Sequence, residues 1–364
     1  MRALALHEFH QQLGARFADV NGCEVVADYG DVLAERGALA QSAGALDLGY
    51  RSRVCLLGAD RKKFLHGQVT NAVSDLAVGA GCYAALVTAK GRMQADLFIY
   101  CLAEELLLDF EPGFTAAVQQ RLEKYIIAED VQVVDVAEPY GHLSVQGPRA
   151  GEVIAALGLD WTPPAQPGGI VHRADPRLGD LYLANRPRLG GAGFDVFVPA
   201  AALPAVADKL FAAARACDGR PVGWSAMEHA RIEAAIPRYG ADMDESTLPP
   251  EAGLETRAIS YTKGCYIGQE VIARIRTYGQ VARALRGLRL AADPAGPVAR
   301  GDKVLWGDKE IGFITSVAAL RDGGALALGY LRREHNQRGD AIHVRTSLGL
   351  VSGTVATVPF EPFP

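Results

Sequence analysis

The sequence predicts an α+β protein, and two observations carry that reading. Between Ser52 and Val136 the apolar runs alternate as strand, helix, strand, strand, strand, helix, strand, the order of a split βαβ, ferredoxin-like unit with one extra strand. After Gly279 six short runs follow one another between Gly and Asp turns with no helical period, the pattern of a small antiparallel barrel.

The elements follow in chain order. Leu4–Phe17 reads as an amphipathic helix with Leu6, Phe9 and Leu13 on one stripe. Val32–Ala40 reads as a second helix, and Gly44–Leu48 as a strand. Ser52–Leu57 is a strand, and Asp60 is placed to cap a helix that ends near Gln68, with Phe64 and Leu65 in its core. Tyr83–Thr88 and Met93–Cys101 are strands joined at Ala89-Lys90-Gly91, and Glu105–Phe110 is a third. A helix runs from Pro112-Gly113 to Tyr125, and Val131–Val136 closes the unit, giving one antiparallel sheet with two helices on one face. His142–Gln146, Asp180–Asn185 and Phe194–Val198 are strands, Arg149–Leu157 and Leu203–Ala216 helices, and Trp224–Ile236 starts another helix. Thr162–Gly169, rich in Pro and Gly, is a loop. The six barrel strands are Ala284–Leu290, Lys303–Trp306, Glu310–Val317, Ala325–Tyr330, Ala341–Arg345 and Gly353–Val358.

Composition narrows the function classes. The 364 residues carry a formal charge of −5, which argues against non-specific nucleic-acid or membrane binding. The six cysteines are widely spaced without a CxxC pair, so neither a disulfide framework, a zinc site nor a resident iron–sulfur cluster is expected. His7 and Glu8 break the apolar start too early for a secretory signal, and no run is long enough to span a bilayer. The expected location is the cytoplasm, and the composition has a bacterial character. No phosphate-binding or dinucleotide-binding glycine motif is present; Gly190-Gly191-Ala192-Gly193 lies between strands and reads as a hairpin turn.

One stretch stands apart, Lys263-Gly264-Cys265-Tyr266-Ile267-Gly268-Gln269-Glu270, followed by the apolar run from Val271 that would anchor it in a core. Both glycines permit tight turns, and Lys263 could lower the thiol pKa if it folds back toward Cys265. The plainer reading of Cys265 is a small buried hydrophobe. Three further stretches carry carboxylates and a cation that could serve a ligand site. Lys90-Gly91-Arg92-Met93-Gln94-Ala95-Asp96 delivers Asp96 into a strand. Gly193-Phe194-Asp195 places a second carboxylate, whose plainer reading is a solvated strand edge. Arg231-Ile232-Glu233 and Tyr239-Gly240-Ala241-Asp242, ahead of Pro249-Pro250-Glu251-Ala252-Gly253, supply a cation able to hold a carboxylate with both donors. Arg274, Arg276, Arg283, Arg286 and Arg289 cluster near the proposed barrel boundary; a solvated face is the simpler reading, and a polyglutamate tail or an acidic partner the alternative.

The string KGCYIGQE resembles the signature of the YgfZ family, folate-binding proteins related to the glycine cleavage T-protein and to the mitochondrial factor for iron–sulfur maturation. The resemblance runs from Tyr29-Gly30-Asp31 to the terminal barrel. It implies a three-part T-protein-like fold around a central tetrahydrofolate site, with residues 1–50 and 138–278 forming a discontinuous folate-binding domain, 51–137 the ferredoxin-like domain and 279–364 the barrel. It also implies Asp96, Asp195, Arg231, Tyr239 and Glu251 as cofactor-binding residues, with Cys265, Lys263 and Asp96 as the chemically active ones. The T-protein carries adjacent aspartates at the first stretch; here Ala95 precedes Asp96, which counts against aminomethyl transfer. Asp195 stands where the T-protein has a glutamate, one methylene longer.

The function so implied is a tetrahydrofolate-binding accessory protein, a monomer, that supports assembly or repair of iron–sulfur enzymes. Those enzymes or their assembly proteins would be transient partners, because one cysteine cannot hold a cluster alone. The alternative is a folate-dependent aminomethyltransferase or demethylase of the T-protein type, and a third reading is a folate buffer without thiol chemistry.

Overall fold

The computed structural model describes residues 1–292 and 296–360. It divides into two compact units. The first comprises Met1–Leu86, Ala95–Met227 and Thr262–Tyr266; the second comprises Val87–Gln94, Glu228–Tyr261 and Ile267–Pro364.

Two sheets dominate the first unit. One runs Gly81–Val87, Met93–Cys101, Leu106–Phe110, Ser52–Leu57, Gln132–Asp135 across its width. Alternate side chains point to opposite faces of a strand. Val54, Leu56, Ala84, Leu97, Ile99 and Leu108 therefore share one face, packed under Phe64 and Leu65 of the Arg61–Gln68 helix and Val118 and Leu122 of the Thr115–Glu123 helix. The expected sheet with two helices on one face is what forms. The second sheet has six strands, ordered Ile170–Asp175, Gly179–Asn185, Gly193–Pro199, Tyr140–Gln146, Gly44–Asp47, Arg220–Pro221. Its outer face carries Leu143, Val145, Leu183, Val196 and Val198 against Val206, Leu210 and Phe211 of the Leu203–Ala216 helix. Each such buried side chain contributes about 1.5–3 kcal/mol.

The inner faces of the two sheets meet, with Cys55, Tyr100 and Leu107 from one packed on Ile170, Ala184 and Phe197 from the other. The layers are thus helix, sheet, sheet, helix.

In the second unit Arg283–Leu290, Ala325–Arg332, Lys309–Ala319, Lys303–Trp306, Ala341–Arg345 and Leu350–Ala356 close into a barrel, Leu288 pairing Ala327 on one side and Val355 on the other. All six predicted strands are present, and closure leaves no unpaired edge. Leu288, Val304, Ile314, Ala327, Val344 and Val355 fill its interior.

Four local expectations are corrected. The first helix covers only His7–Gln12; Gly14, at φ +78°, ends it and Arg16–Val20 pairs with Cys23–Asp28 as a hairpin that the helical stripe concealed. Asp60 does not cap its helix, because its carboxylate accepts from the Asp130 backbone N–H instead. The strand Ile170–Asp175 also formed where no strand was expected. The run after Glu270 is a helix, Gln269–Tyr278, in which Ile272 is fully buried and Val271, Ala273 and Ile275 are half-buried, so the run lies along the margin of a core rather than within it.

Candidate functional site

Between the two sheets of the first unit lies a buried polar layer. It arises from strand alternation: Asp96, Phe98 and Tyr100 sit two apart on one strand and turn away from the apolar face that Leu97 and Ile99 occupy. Asp96 is 8% exposed. Its Oδ2 accepts the Tyr83 hydroxyl at 2.9 Å, whereas Oδ1 accepts from no other described residue. Burial, reinforced by the charge of Glu111, pushes the Asp96 carboxyl up to about 6, although the Tyr83 hydrogen bond pulls it back. Tyr83 stacks on Phe98 at 4.4 Å, and the Arg186 guanidinium also covers that ring, 3.1 Å from its centroid. Burial draws Arg186 down to about 10.

A chain of ion pairs crosses the layer. Arg51 holds Glu111 and Asp109, each at 2.6 Å; Arg188 holds the other oxygen of Asp109 at 2.6 Å and Asp195 at 2.6 Å. His142 lies 3.2 Å from Asp195. Burial, the largest single effect, pushes both Asp109 and Asp195 up, but their partners together, Arg188 first among them, outweigh it and leave both well below the usual carboxylate range. Burial brings His142 down to about 4, so the ring is neutral near pH 7. With Arg53 donating toward its Nδ1 at 3.4 Å, the ring proton is assigned to Nε2, facing Asp195. Asp195, expected at a solvated edge in its plainer reading, is fully buried and held by Arg188 through both oxygens.

Lys263 and Cys265 belong to the same unit and face different ways. Cys265 is exposed, Cys82 is half-buried, and Cys23, Cys55, Cys101 and Cys217 are buried; all six are free thiols. The Lys263 ammonium donates to the carbonyls of His66, Val69 (2.6 Å) and Asn71 (3.0 Å) and lies over the Tyr266 ring. The expectation that Lys263 folds back onto Cys265 is therefore corrected: three carbonyls take all three ammonium protons, and Lys263 pins the loop that displays the thiol. Burial lowers Lys263 to about 8.

The remaining predicted residues lie in the second unit. Arg231 donates to Asp242 at 2.6 Å, to Glu228 at 2.9 Å and to the Ser316 hydroxyl at 2.7 Å, and is 5% exposed. Its guanidinium is thus engaged by side chains of its own unit. Tyr239 is buried beside it in sequence, bridged to Met243. Glu251 accepts from the Leu248 N–H at 3.0 Å and from Arg283 at 3.2 Å. Of the basic cluster, Arg274 pairs with Glu270 at 2.5 Å and Arg276 covers Tyr261.

Sequence reasoning brought Asp96 and Asp195 to one layer but missed Tyr83, Asp109, Arg51, Arg188 and His142. The available signal was Asp109, a carboxylate in a five-residue strand otherwise made of Leu and Phe. Nothing local marks Arg188, whose partner Asp109 is 79 residues away.

Comparison with known proteins gives consistent results along the whole chain. Residues 6–263 match the family described as the GCVT N-terminal domain, and residues 283–361 the glycine cleavage T-protein C-terminal barrel domain. Aminomethyltransferases of Saccharopolyspora erythraea and Cupriavidus necator are each 29% identical to it; the first alignment covers 99% of this chain and 98% of that protein, the second 99% and 97%. A putative chloroplastic transferase of Arabidopsis thaliana is 28% identical over 86% of this chain and 70% of its own length. The crystal structure of the glycine cleavage system aminomethyltransferase T from Bartonella henselae superimposes with a TM-score of 0.88 at 23% identity, over 99% of this chain and 98% of that one, which establishes the shared fold. Among the described residues no helix is long and apolar enough to cross a membrane.

Proposed function

We propose, from the premise that this chain belongs to the glycine cleavage T-protein family, that it binds tetrahydrofolate and acts as an accessory protein of the YgfZ type. The folate part rests on one observation above the others. Asp96 is a buried carboxyl with one oxygen held by Tyr83 and the other without a partner from another described residue, beside a stack of Tyr83, Phe98 and Arg186. A buried polar atom left unpaired costs about 1–3 kcal/mol, and a pterin N–H would satisfy it. Bound tetrahydrofolate supplies N5 and N10 as carriers of a one-carbon unit. Asp96 would orient the ring. Asp195 and Arg231 could reach the cofactor only by exchanging the Arg188 and Asp242 partners that now hold them.

The accessory role rests on Cys265, the exposed thiol of the KGCYIGQE segment, displayed on a loop pinned by Lys263. It is open to a partner that brings iron, sulfide or a thiol. A second reading, tetrahydrofolate-dependent aminomethyl transfer, has on its side the names of the Saccharopolyspora erythraea and Cupriavidus necator relatives, both aminomethyltransferases. Ala95 weighs against it.

The two readings part in one experiment. A strain lacking the protein is complemented with wild type, Cys265→Ala and Asp96→Ala, and activities of iron–sulfur enzymes are assayed. The accessory reading expects Cys265→Ala to fold, to bind tetrahydrofolate by titration calorimetry and to fail in complementation. Full complementation by Cys265→Ala, together with methylene-tetrahydrofolate formation by the pure protein, would establish the transferase instead. Unchanged tetrahydrofolate binding by Asp96→Ala would sink the assignment of the pterin site.

A further inference from the structure

Within the first unit, the buried polar layer treats one of its arginines unlike the rest. Arg51 and Arg188 each hold two carboxylates, and Arg53 donates to four backbone carbonyls. The Arg186 guanidinium makes no hydrogen bond or ion pair with any described residue, and its Nε is closed off from solvent as well. A buried donor in that state is costly. What holds the group is its face on the Phe98 ring, 3.1 Å from the centroid.

Phe98 is covered on both faces. Tyr83 stacks on it at 4.4 Å with the rings 19° apart, so a guanidinium 3.1 Å from the same centroid has room only on the opposite face. A flat ligand that stacks on Phe98 must therefore displace one of the two. Tyr83 is fixed by its hydroxyl on Asp96 at 2.9 Å. Arg186 is the one able to leave. Its backbone is held in place, the N–H donating to the Gly193 carbonyl at 2.8 Å and its own carbonyl accepting from Gln146 Nε2 at 3.0 Å. Only side-chain torsions then have to change. Arg186 and Phe98 are both half-buried, which gives the guanidinium a way out to water, where its donors regain partners.

The place it vacates has a shape and a chemistry. A guanidinium is planar and delocalised and stacks as an aromatic ring does, so the slot suits a flat ring. Asp96 stands two residues from Phe98 on the same strand face, roughly 6.6 Å along it, and its Oδ1 accepts from no other described residue. Two fused six-membered rings span that interval. We propose that Arg186 is a stand-in for a ring ligand: it closes the Phe98 face in the empty protein and swings out when a flat, N–H-bearing bicyclic heterocycle takes that face. That the heterocycle is a pterin rests on the function proposed above. The closed arginine competes with the ligand, so the apparent affinity falls with the fraction of molecules already open. Arg186 thereby sets affinity for the ring.

The test uses the full chain and tetrahydrofolate as the probe. In titration calorimetry Arg186→Ala is expected to bind about fivefold tighter than wild type or more. Arg186→Lys should do the same, because it keeps the charge and loses the flat face. A ligand-free measurement accompanies these. In proton–nitrogen spectra the Arg186 Nε–H, assigned by its loss in Arg186→Ala, should lie upfield of the other arginines under the ring current of Phe98. Saturating tetrahydrofolate should return it to their position. Equal or weaker binding by Arg186→Ala overturns the inference and leaves the folate site standing. Wild-type affinity in Arg186→Lys overturns it too, since charge and not stacking would then govern. So does an Nε–H that is unshifted in the empty protein or unmoved by the ligand. Binding by neither wild type nor Arg186→Ala overturns the folate reading of the site, and this inference with it.

Discussion

The Tyr83 hydroxyl donates to one oxygen of Asp96 at 2.9 Å, and no other described residue donates to the second. The hydrogen bond falls on a buried carboxyl that changes protonation at about pH 6. Burial, the larger effect, and Glu111 raise Asp96 from 3.8 to about 6, and Tyr83 works against them.

That shift fixes a pH dependence. The folded chain holds the Asp96 proton more tightly than the unfolded chain, so the stability penalty is absent below the unfolded value near 4 and complete above about 6. Asp96→Asn keeps an acceptor for Tyr83 and removes the penalty. Urea unfolding should show the variant more stable than wild type at pH 7.5, by up to about 3 kcal/mol, and equal to it at pH 4. A pH-independent difference would mean that Asp96 does not titrate in this range.

Removing Arg188 should have the opposite sign. It leaves Asp195 buried without a cationic partner, beside a neutral His142, and Asp109 with Arg51 alone. Arg188→Leu is expected to cost about 3–5 kcal/mol at pH 7. Both carboxyls are depressed in the folded chain, so the stability they contribute is present above the unfolded carboxylate value and is lost as pH falls through the folded one. The gap between variant and wild type should therefore narrow below about pH 4, as followed by denaturation at several pH values.

Legibility in the sequence followed the range of the interaction. The barrel was readable because each strand is short and punctuated by Gly or Asp, a local signal, and the ferredoxin-like order was readable from period alone. The exposure of Cys265 agreed with its glycine- and charge-rich setting. The hairpin at Arg16–Asp28 was hidden because Leu6, Phe9 and Leu13 satisfy a helical stripe that Gly14 cuts short. The direction of Lys263 was hidden because its three acceptors are backbone carbonyls at 66, 69 and 71, which any sequence supplies. Arg231 was recognised as a cation, but that Asp242 and Ser316 engage it depends on how its unit closes.

The two glycines of KGCYIGQE show the same divide and give a prediction. In sequence they are equivalent, four residues apart around Cys265. Gly268 sits at φ +82°, immediately before the Gln269–Tyr278 helix, and a Cβ there would run into the Thr88 carbonyl oxygen, part of a backbone that cannot swing aside. Gly264 is outside the left-handed region, and its nearest neighbour to an added Cβ is His66 Nε2 at 3.9 Å. Gly268→Ala should therefore destabilise the protein by about 2 kcal/mol or more, seen as a clear fall in Tm. Gly264→Ala should leave Tm within about 1–2 °C of wild type, since surface changes without such strain stay near ±0.5 kcal/mol. Equal effects at the two positions would mean that the segment takes another backbone path, and the display of Cys265 would then need a different explanation.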